Sequence, residues 1–180
     1  MPQGSNAKLD LFGGVLYNRA DVGVNAGSTS AADRAEKLFN DGLCCSESVL
    51  QAVAENHGIK SELIPSIATG FCGGIARTGN VCGAVTGAVM AISIFTGRAI
   101  PTDPRDQNQA LIHRLLCAFE ERFGSALCRE LIGCRLDTPD GHRYYIESGL
   151  RTKCTAFVRG AAQMAVDLLS SLKPRGNPAD

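Results

Sequence analysis

The sequence predicts an all-α fold: a compact bundle of about six or seven helices behind an irregular N-terminal arm. Three observations predict it. Apolar residues recur three and four apart in successive segments, from Ala35, Leu38 and Phe39 to Phe157, Ala161, Ala165, Leu168 and Leu172. Residues suited to helix starts and stops bracket those segments. No segment alternates apolar and polar residues long enough for a strand. With 180 residues, 44% of them hydrophobic, the chain suits one domain with one core.

The elements follow in order. Residues 1–30 are rich in Gly, Asn and Ser and form an arm, in which LFGGVLY is apolar enough to dock on a core or on a second copy. Ser30 with Asp33 resembles a capping box and opens a helix that breaks near Asp41-Gly42. A second helix begins around Cys44-Cys45-Ser46, buries Val49, Leu50 and Val53, and stops at His57-Gly58. A short helix is expected over 61–69. The loop 70–80 carries glycines at 70, 73, 74 and 79, a sign of left-handed backbone or of close approach. The helix over 83–96 has Ala84, Gly87, Ala88 and Ala91 on one side, which suits close helix packing better than space for a cofactor. Asp103-Pro104 reads as a cap followed by proline at the first helical position, ahead of a stripe of Ile112, Leu116, Phe119 and Phe123. Gly124 ends that helix, Ser125 caps a short one over 126–132, and Thr138-Pro139 starts another that runs to about residue 148. The last helix runs from near Cys154 to Leu172, and 173–180 is a frayed tail.

Composition narrows the function. The formal net charge is zero, Trp is absent and aromatics are 6%, so neither nucleic acid nor an anionic membrane surface is expected as a partner. The longest mostly apolar run, 81–95, is shorter than the roughly 20 residues a spanning helix needs. The N-terminus lacks a charged segment followed by an apolar one, so a reducing cytoplasm is expected.

The outlier is cysteine: eight residues, with no CxxC pair. A cytoplasmic chain of this size needs no disulfide scaffold. Some, such as Cys117 on an apolar helix face, read as small buried hydrophobes. Four others, Cys45, Cys82, Cys128 and Cys154, fall at expected helix starts, where unpaired amides and the helix dipole favour an anion. A thiol there can drop from about 8.5 to somewhere between 3.5 and 7.5. Thiolate both binds metal and attacks sulfur. Four helix starts bearing cysteine suggest that they converge. Cys72 in the glycine loop and Cys134 near Cys128 are further candidates. Adjacent Cys44 and Cys45 cannot both point inward from a regular helix, and Cys45 is the choice.

The segments DGLCCSESVLQAV, GFCGGIARTGNVCGAVTGAVMA, FGSALCRELIGCRLDTPDG and CTAFVRGAAQMA together resemble the C_GCAxxG_C_C family of redox-active proteins, from about Ala31 to Leu172. The resemblance places the family's cysteines on Cys45, Cys82, Cys128 and Cys154. Two departures stand out. The label reads Gly-Cys-Ala where this chain has Cys82-Gly83-Ala84, and Cys72 stands where a glycine is expected. A related helical region in split-Soret cytochromes carries an iron–sulfur centre, which implies a cluster here. The chain has no CxxCH, which excludes covalent c-type haem.

Three readings compete. In the first, Cys45, Cys82, Cys128 and Cys154 hold a 2Fe–2S or 4Fe–4S cluster for electron transfer to a redox partner protein, with Cys72 or Cys134 as substitute or extra ligands. Gly83 and the loop glycines then let backbone approach the sulfides. In the second, a low-pKa Cys82 carries out thiol–disulfide or sulfur-transfer chemistry, resolved by Cys72, Cys128 or Cys154. In the third, four cysteines hold a structural zinc, although such sites usually use close pairs. Arg77 can offset the negative charge of a cluster or stand in solvent. His57, His113, His142 and Glu47 read as surface or helix-end residues. An apolar arm is compatible with a homodimer.

Overall fold

The computed structural model describes residues 29–172. Apart from its last two residues the arm lies outside the described residues, with any dimer contact expected of it, and so does the tail. Among the described residues seven α-helices follow one another: α1 (Thr29–Asn40), α2 (Cys45–Asn56), α3 (Gly83–Thr96), α4 (Asp106–Phe123), α5 (Cys128–Ile132), α6 (Pro139–Glu147) and α7 (Arg151–Ser170). A 3-10 segment, Ser66–Phe71, lies between α2 and α3. No strand forms among the described residues. The all-α reading is therefore correct. One isolated antiparallel bridge pairs Val81 with Leu127.

The core is a helix-on-helix stack. α2 lies on α3, and α7 packs against α1, α2, α3 and α4. Val49, Leu50 and Val53 of α2, Ala84, Val85, Ala88 and Ile92 of α3, and Val158 and Ala161 of α7 are fully buried. Phe119 and Phe123 of α4 meet Phe157 of α7 in a ring cluster with centroids 4.7–6.3 Å apart. Charged pairs fasten the rim: Arg159 of α7 reaches Asp33 and Glu36 of α1, and Arg34 of α1 holds Glu55 of α2.

The α2–α3 contact is the tightest part. A Cβ on Gly87 would stand 2.5 Å from the Ser46 carbonyl oxygen, and one on Gly83 would stand 2.3 Å from Cys45 Sγ. The small-residue side of α3 thus serves helix approach, as expected. It brings the first turn of α2 onto the first turn of α3.

Several features differ from expectation. No helix spans 61–69. Pro65 lacks an amide donor and restricts Ile64 before it, so only the 3-10 segment forms. Asp103 does not open α4. Its carboxylate accepts from the Ala99 and Ile100 amides, and the helix starts at Asp106. The buried stripe of α4 is Leu111, Leu115, Ala118 and Phe119, leaving Ile112, Leu116 and Phe123 half-buried. α7 begins at Arg151, three residues ahead of Cys154. Ser125 does not cap α5: its hydroxyl accepts from the Leu127 amide, Leu127 is the N-cap, and the helix starts at Cys128. Thr138 accepts from the Gly141 amide, and Gly124 and Gly133 close α4 and α5 in the left-handed conformation, as read.

Because the Gly87 contact is to backbone, which cannot step aside as a rotamer does, Gly87→Ala should cost about 1–3 kcal/mol. The urea midpoint of unfolding, followed by circular dichroism, checks this. An unchanged midpoint would mean that α2 and α3 are not in this register.

Candidate functional site

The first turn of α2, the start of α3, α5 and the start of α7 surround one cavity of about 180 Å³. Cys45, Cys82, Cys128 and Cys154 all line it, as do Cys44 and Cys72. Phe39, Leu131, Ile132, Leu136 and Phe157 supply apolar wall, and Gly73, Arg77, His142, Tyr145 and Arg151 complete it. The structure therefore brings together four cysteines that are far apart in sequence. Cys134 is half-buried against the core and is not part of the wall.

Each cysteine arrives by a local device. Cys45 is the first residue of α2 and Cys82 is the N-cap of α3. Cys128 opens α5. Cys154 is the exception, because α7 starts at Arg151 and the thiol sits one turn into the helix. The bridge sets the α3 and α5 cysteines side by side. The Cys82 amide donates to the Ala126 carbonyl and the Cys128 amide to the Asn80 carbonyl, both at 2.8 Å.

The loop leading to the bridge is wound left-handed. Gly73, Gly74, Ile75, Ala76 and Arg77 have φ of +68°, +73°, +59°, +49° and +67°. For the last three, which carry a Cβ, this backbone costs roughly 1–2 kcal/mol per residue. The winding is held by the Gly79 amide donating to the Gly73 carbonyl and the Asn80 amide to the Gly74 carbonyl. It presses Gly74 so close that a Cβ there would be 2.7 Å from Cys128 Cβ. The Gly73 amide meets the Cys45 sulfur.

Adjacent Cys44 and Cys45 both face the cavity, contrary to expectation. Cys44 lies before the helix as its N-cap, with extended backbone that turns its side chain independently of Cys45. It is paired with Cys72 as a disulfide, their Cα atoms 6.0 Å apart. Glu47 is not a solvent-facing side chain either. Its carboxylate accepts from the Cys44 amide at 2.8 Å and from the Thr69 hydroxyl at 2.6 Å. The spacing from Cys44 to Glu47 is that of a capping box, and this signal could have placed Cys44 at the N-cap.

The expected drop in thiol pKa is reversed. Burial pushes Cys45 up, against amides from Gly73, Ser46 and its own residue. Burial pushes Cys82 up strongly, reinforced by Cys45, Cys128 and Cys154 and only partly opposed by the Ala84 amide. Cys128 is pushed up to about 12 by burial and by Cys45, Cys154 and Cys134. Burial also raises Cys154, against the Tyr145 hydroxyl 3.6 Å from its sulfur and against Arg151. Helix starts offer partial charges, and desolvation of crowded thiols outweighs them. Burial therefore works against a low-pKa nucleophile at Cys82.

Sequence reasoning missed Tyr145, His142 and Arg151. Thr138-Pro139 marks where α6 starts but not which face meets Cys154. Arg151 donates to the Phe39 carbonyl and stacks over its ring at 3.9 Å, which closes the cavity between α1 and α7. Of the other histidines, His57 stacks on Phe95 at 4.9 Å and His113 lies along α4 beside Cys117. No helix among the described residues is long and apolar enough to cross a membrane.

Fold and site together define an all-α protein built round a buried cluster of cysteines. The chain belongs to the family described as "Putative redox-active protein (C_GCAxxG_C_C)", which matches residues 43–168. It is 31% identical over 154 residues to an uncharacterized protein of Archaeoglobus fulgidus, covering 79% of this chain and 93% of that one. No solved structure matches.

Raised thiol pKa values have a consequence for stability. A folded chain that keeps its thiol protons while the unfolded chain loses them is stabilised below the ordinary value, near 9, and loses that stability as pH rises. For Cys128 the loss runs from about pH 9 towards about 12. Chain treated with chelator should therefore show a falling urea midpoint above pH 9, with a shallower fall in Cys128→Ser. A midpoint independent of pH would contradict the raised thiols.

Proposed function

We propose that Cys45, Cys82, Cys128 and Cys154 hold an iron–sulfur cluster, either 2Fe–2S or 4Fe–4S, through which the protein passes electrons to a redox partner protein. The observation that carries this reading is the convergence of four cysteines from four helices on one cavity. Four thiolates are the usual ligand set of such clusters. The size of the cavity supports this over a lone zinc. With Zn–S near 2.3 Å, four sulfurs round one zinc would lie about 3.8 Å apart. Among the described residues these four sulfurs do not close to within 4.8 Å of one another as a set. They line a cavity of about 180 Å³. The absence of CxxC pairs also disfavours structural zinc.

Bound there, a cluster supplies a reversible one-electron couple. The chain's own groups shape its surroundings. The Gly73 amide and the Tyr145 hydroxyl stand at the Cys45 and Cys154 sulfurs, where hydrogen bonds stabilise negative charge. Phe39, Leu131, Ile132, Leu136 and Phe157 give the cavity an apolar wall. Arg77 and Arg151 bring positive charge to the wall. Gly83 lets Cys45 come close to the start of α3, since any side chain there would meet its sulfur.

Iron and acid-labile sulfide, measured on anaerobically purified protein, should be present together and be lost in Cys82→Ala. Protein containing neither would sink the reading. Tyr145→Phe should retain iron and shift the reduction potential negative by about 20–40 mV, the equivalent of one weak hydrogen bond of roughly 0.5–1 kcal/mol. A spectroelectrochemical titration checks this. An unchanged or more positive potential would show that the hydroxyl does not act on the Cys154 sulfur.

A further inference from the structure

Cys44 and Cys72 stand outside the four cysteines of the family pattern, and the structure joins them to each other. Their Cα separation of 6.0 Å is within the span of a disulfide. Both line the cavity wall and both residues are half-buried.

Their surroundings suit the reduced pair as well as the oxidised one. Ser46 is fully buried, with Oγ 3.1 Å from Cys72 Sγ and 3.5 Å from Cys44 Sγ. Its hydroxyl donates to the Ala68 carbonyl at 2.8 Å, which leaves its lone pairs to accept from thiol S–H. The Ala68 carbonyl is itself 4.0 Å from Cys72 Sγ, and a Glu47 carboxylate oxygen lies within 4.8 Å of both sulfurs. These groups have partners of their own, and each can also accept from a thiol, so reduction of the pair would leave no thiol proton without an acceptor.

We infer that Cys44 and Cys72 form a reversible two-electron couple that exchanges with a dithiol or disulfide partner, separately from the four-cysteine site. A partner thiolate attacks one sulfur of the pair. The bond between Cys44 and Cys72 breaks as a mixed disulfide forms, and the other sulfur leaves as thiolate. The partner's second thiolate breaks the mixed disulfide and closes the partner's own disulfide. Two electrons and two protons have then passed from the partner dithiol to Cys44 and Cys72, and the reverse sequence reoxidises them. The couple needs no iron and stands independently of the cluster reading.

The test is a titration of the full chain, purified anaerobically, in mixtures of reduced and oxidised dithiothreitol. Alkylation and mass spectrometry of the peptides follow. The peptides bearing Cys44 and Cys72 should gain label together in one reversible transition, as the linked peptide disappears. Labelling of both in every mixture would overturn the proposal. So would a link that persists in reduced dithiothreitol until the fold is lost, or a link from Cys72 to another cysteine. In Cys44→Ser, with helical circular dichroism retained, the transition should vanish while iron and sulfide stay at the unsubstituted level. Loss of iron from that folded variant would make Cys44 a ligand and overturn the couple. Absence of iron from the unsubstituted chain would overturn only the cluster reading.

Discussion

Two missing side chains on α3 set the geometry on which the rest depends. Gly83 and Gly87 are one helical turn apart, and the first turn of α2 lies against both. At Gly87 the contact is to the Ser46 carbonyl, and at Gly83 to the Cys45 sulfur. A core contact and a site contact are therefore the same contact. Helices that approach this closely bury Val49, Val53, Ala84 and Ala88 completely, and they leave Cys45 beside the N-cap Cys82. Any residue larger than glycine at either position would separate α2 from α3 and Cys45 from its neighbours together.

The other half of the site depends on backbone conformation rather than on helix packing. Between α3 and the preceding 3-10 segment the chain runs left-handed for five residues, three of them not glycine. That is costly backbone. Its result is that Gly73 reaches Cys45, Gly74 reaches Cys128, and Val81 meets Leu127 in the bridge. A relaxed loop of the same length would not deliver all three. Strain of a few kcal/mol is sustained because the bridge and the amides of Gly79 and Asn80 fix both ends.

Much of this was legible in the sequence, and the illegible parts share a cause. Helix positions followed from apolar spacing, and α3 ran as read because Gly83 and Gly97 bracket an uninterrupted small and apolar stretch. The four cysteines could be named because each stands close to a helix start. Features set by long-range contacts could not be read. α7 starts early at Leu150 and Arg151, neither a usual cap, because Leu150 is buried and Arg151 is held on Phe39 of α1. Asp103 looked like a helix cap and instead ties its own loop. The pairing of Cys44 with Cys72 joins a cap residue to a loop residue 28 positions away, and spacing alone does not encode that.

The reversed thiol pKa values bear most directly on chemistry. Ionising all four cavity thiols would place four negative charges in a poorly solvated space, where unpaired charge is very costly. The cations on the wall are Arg77 and Arg151. Arg151 is already engaged with the Phe39 carbonyl and ring, and Arg77 is largely exposed. The wall therefore cannot balance four thiolates, and the chain alone keeps them protonated. A site that must shed its thiol protons to become anionic does so when metal cations enter, because ligand deprotonation and metal binding are one linked equilibrium. Under the proposed cluster reading, the burial that works against a lone nucleophilic thiol at Cys82 is a cost that metal–sulfur bonding has to exceed, since thiol deprotonation and metal entry are one linked step. The same apolar wall that raises the thiols would line the cluster.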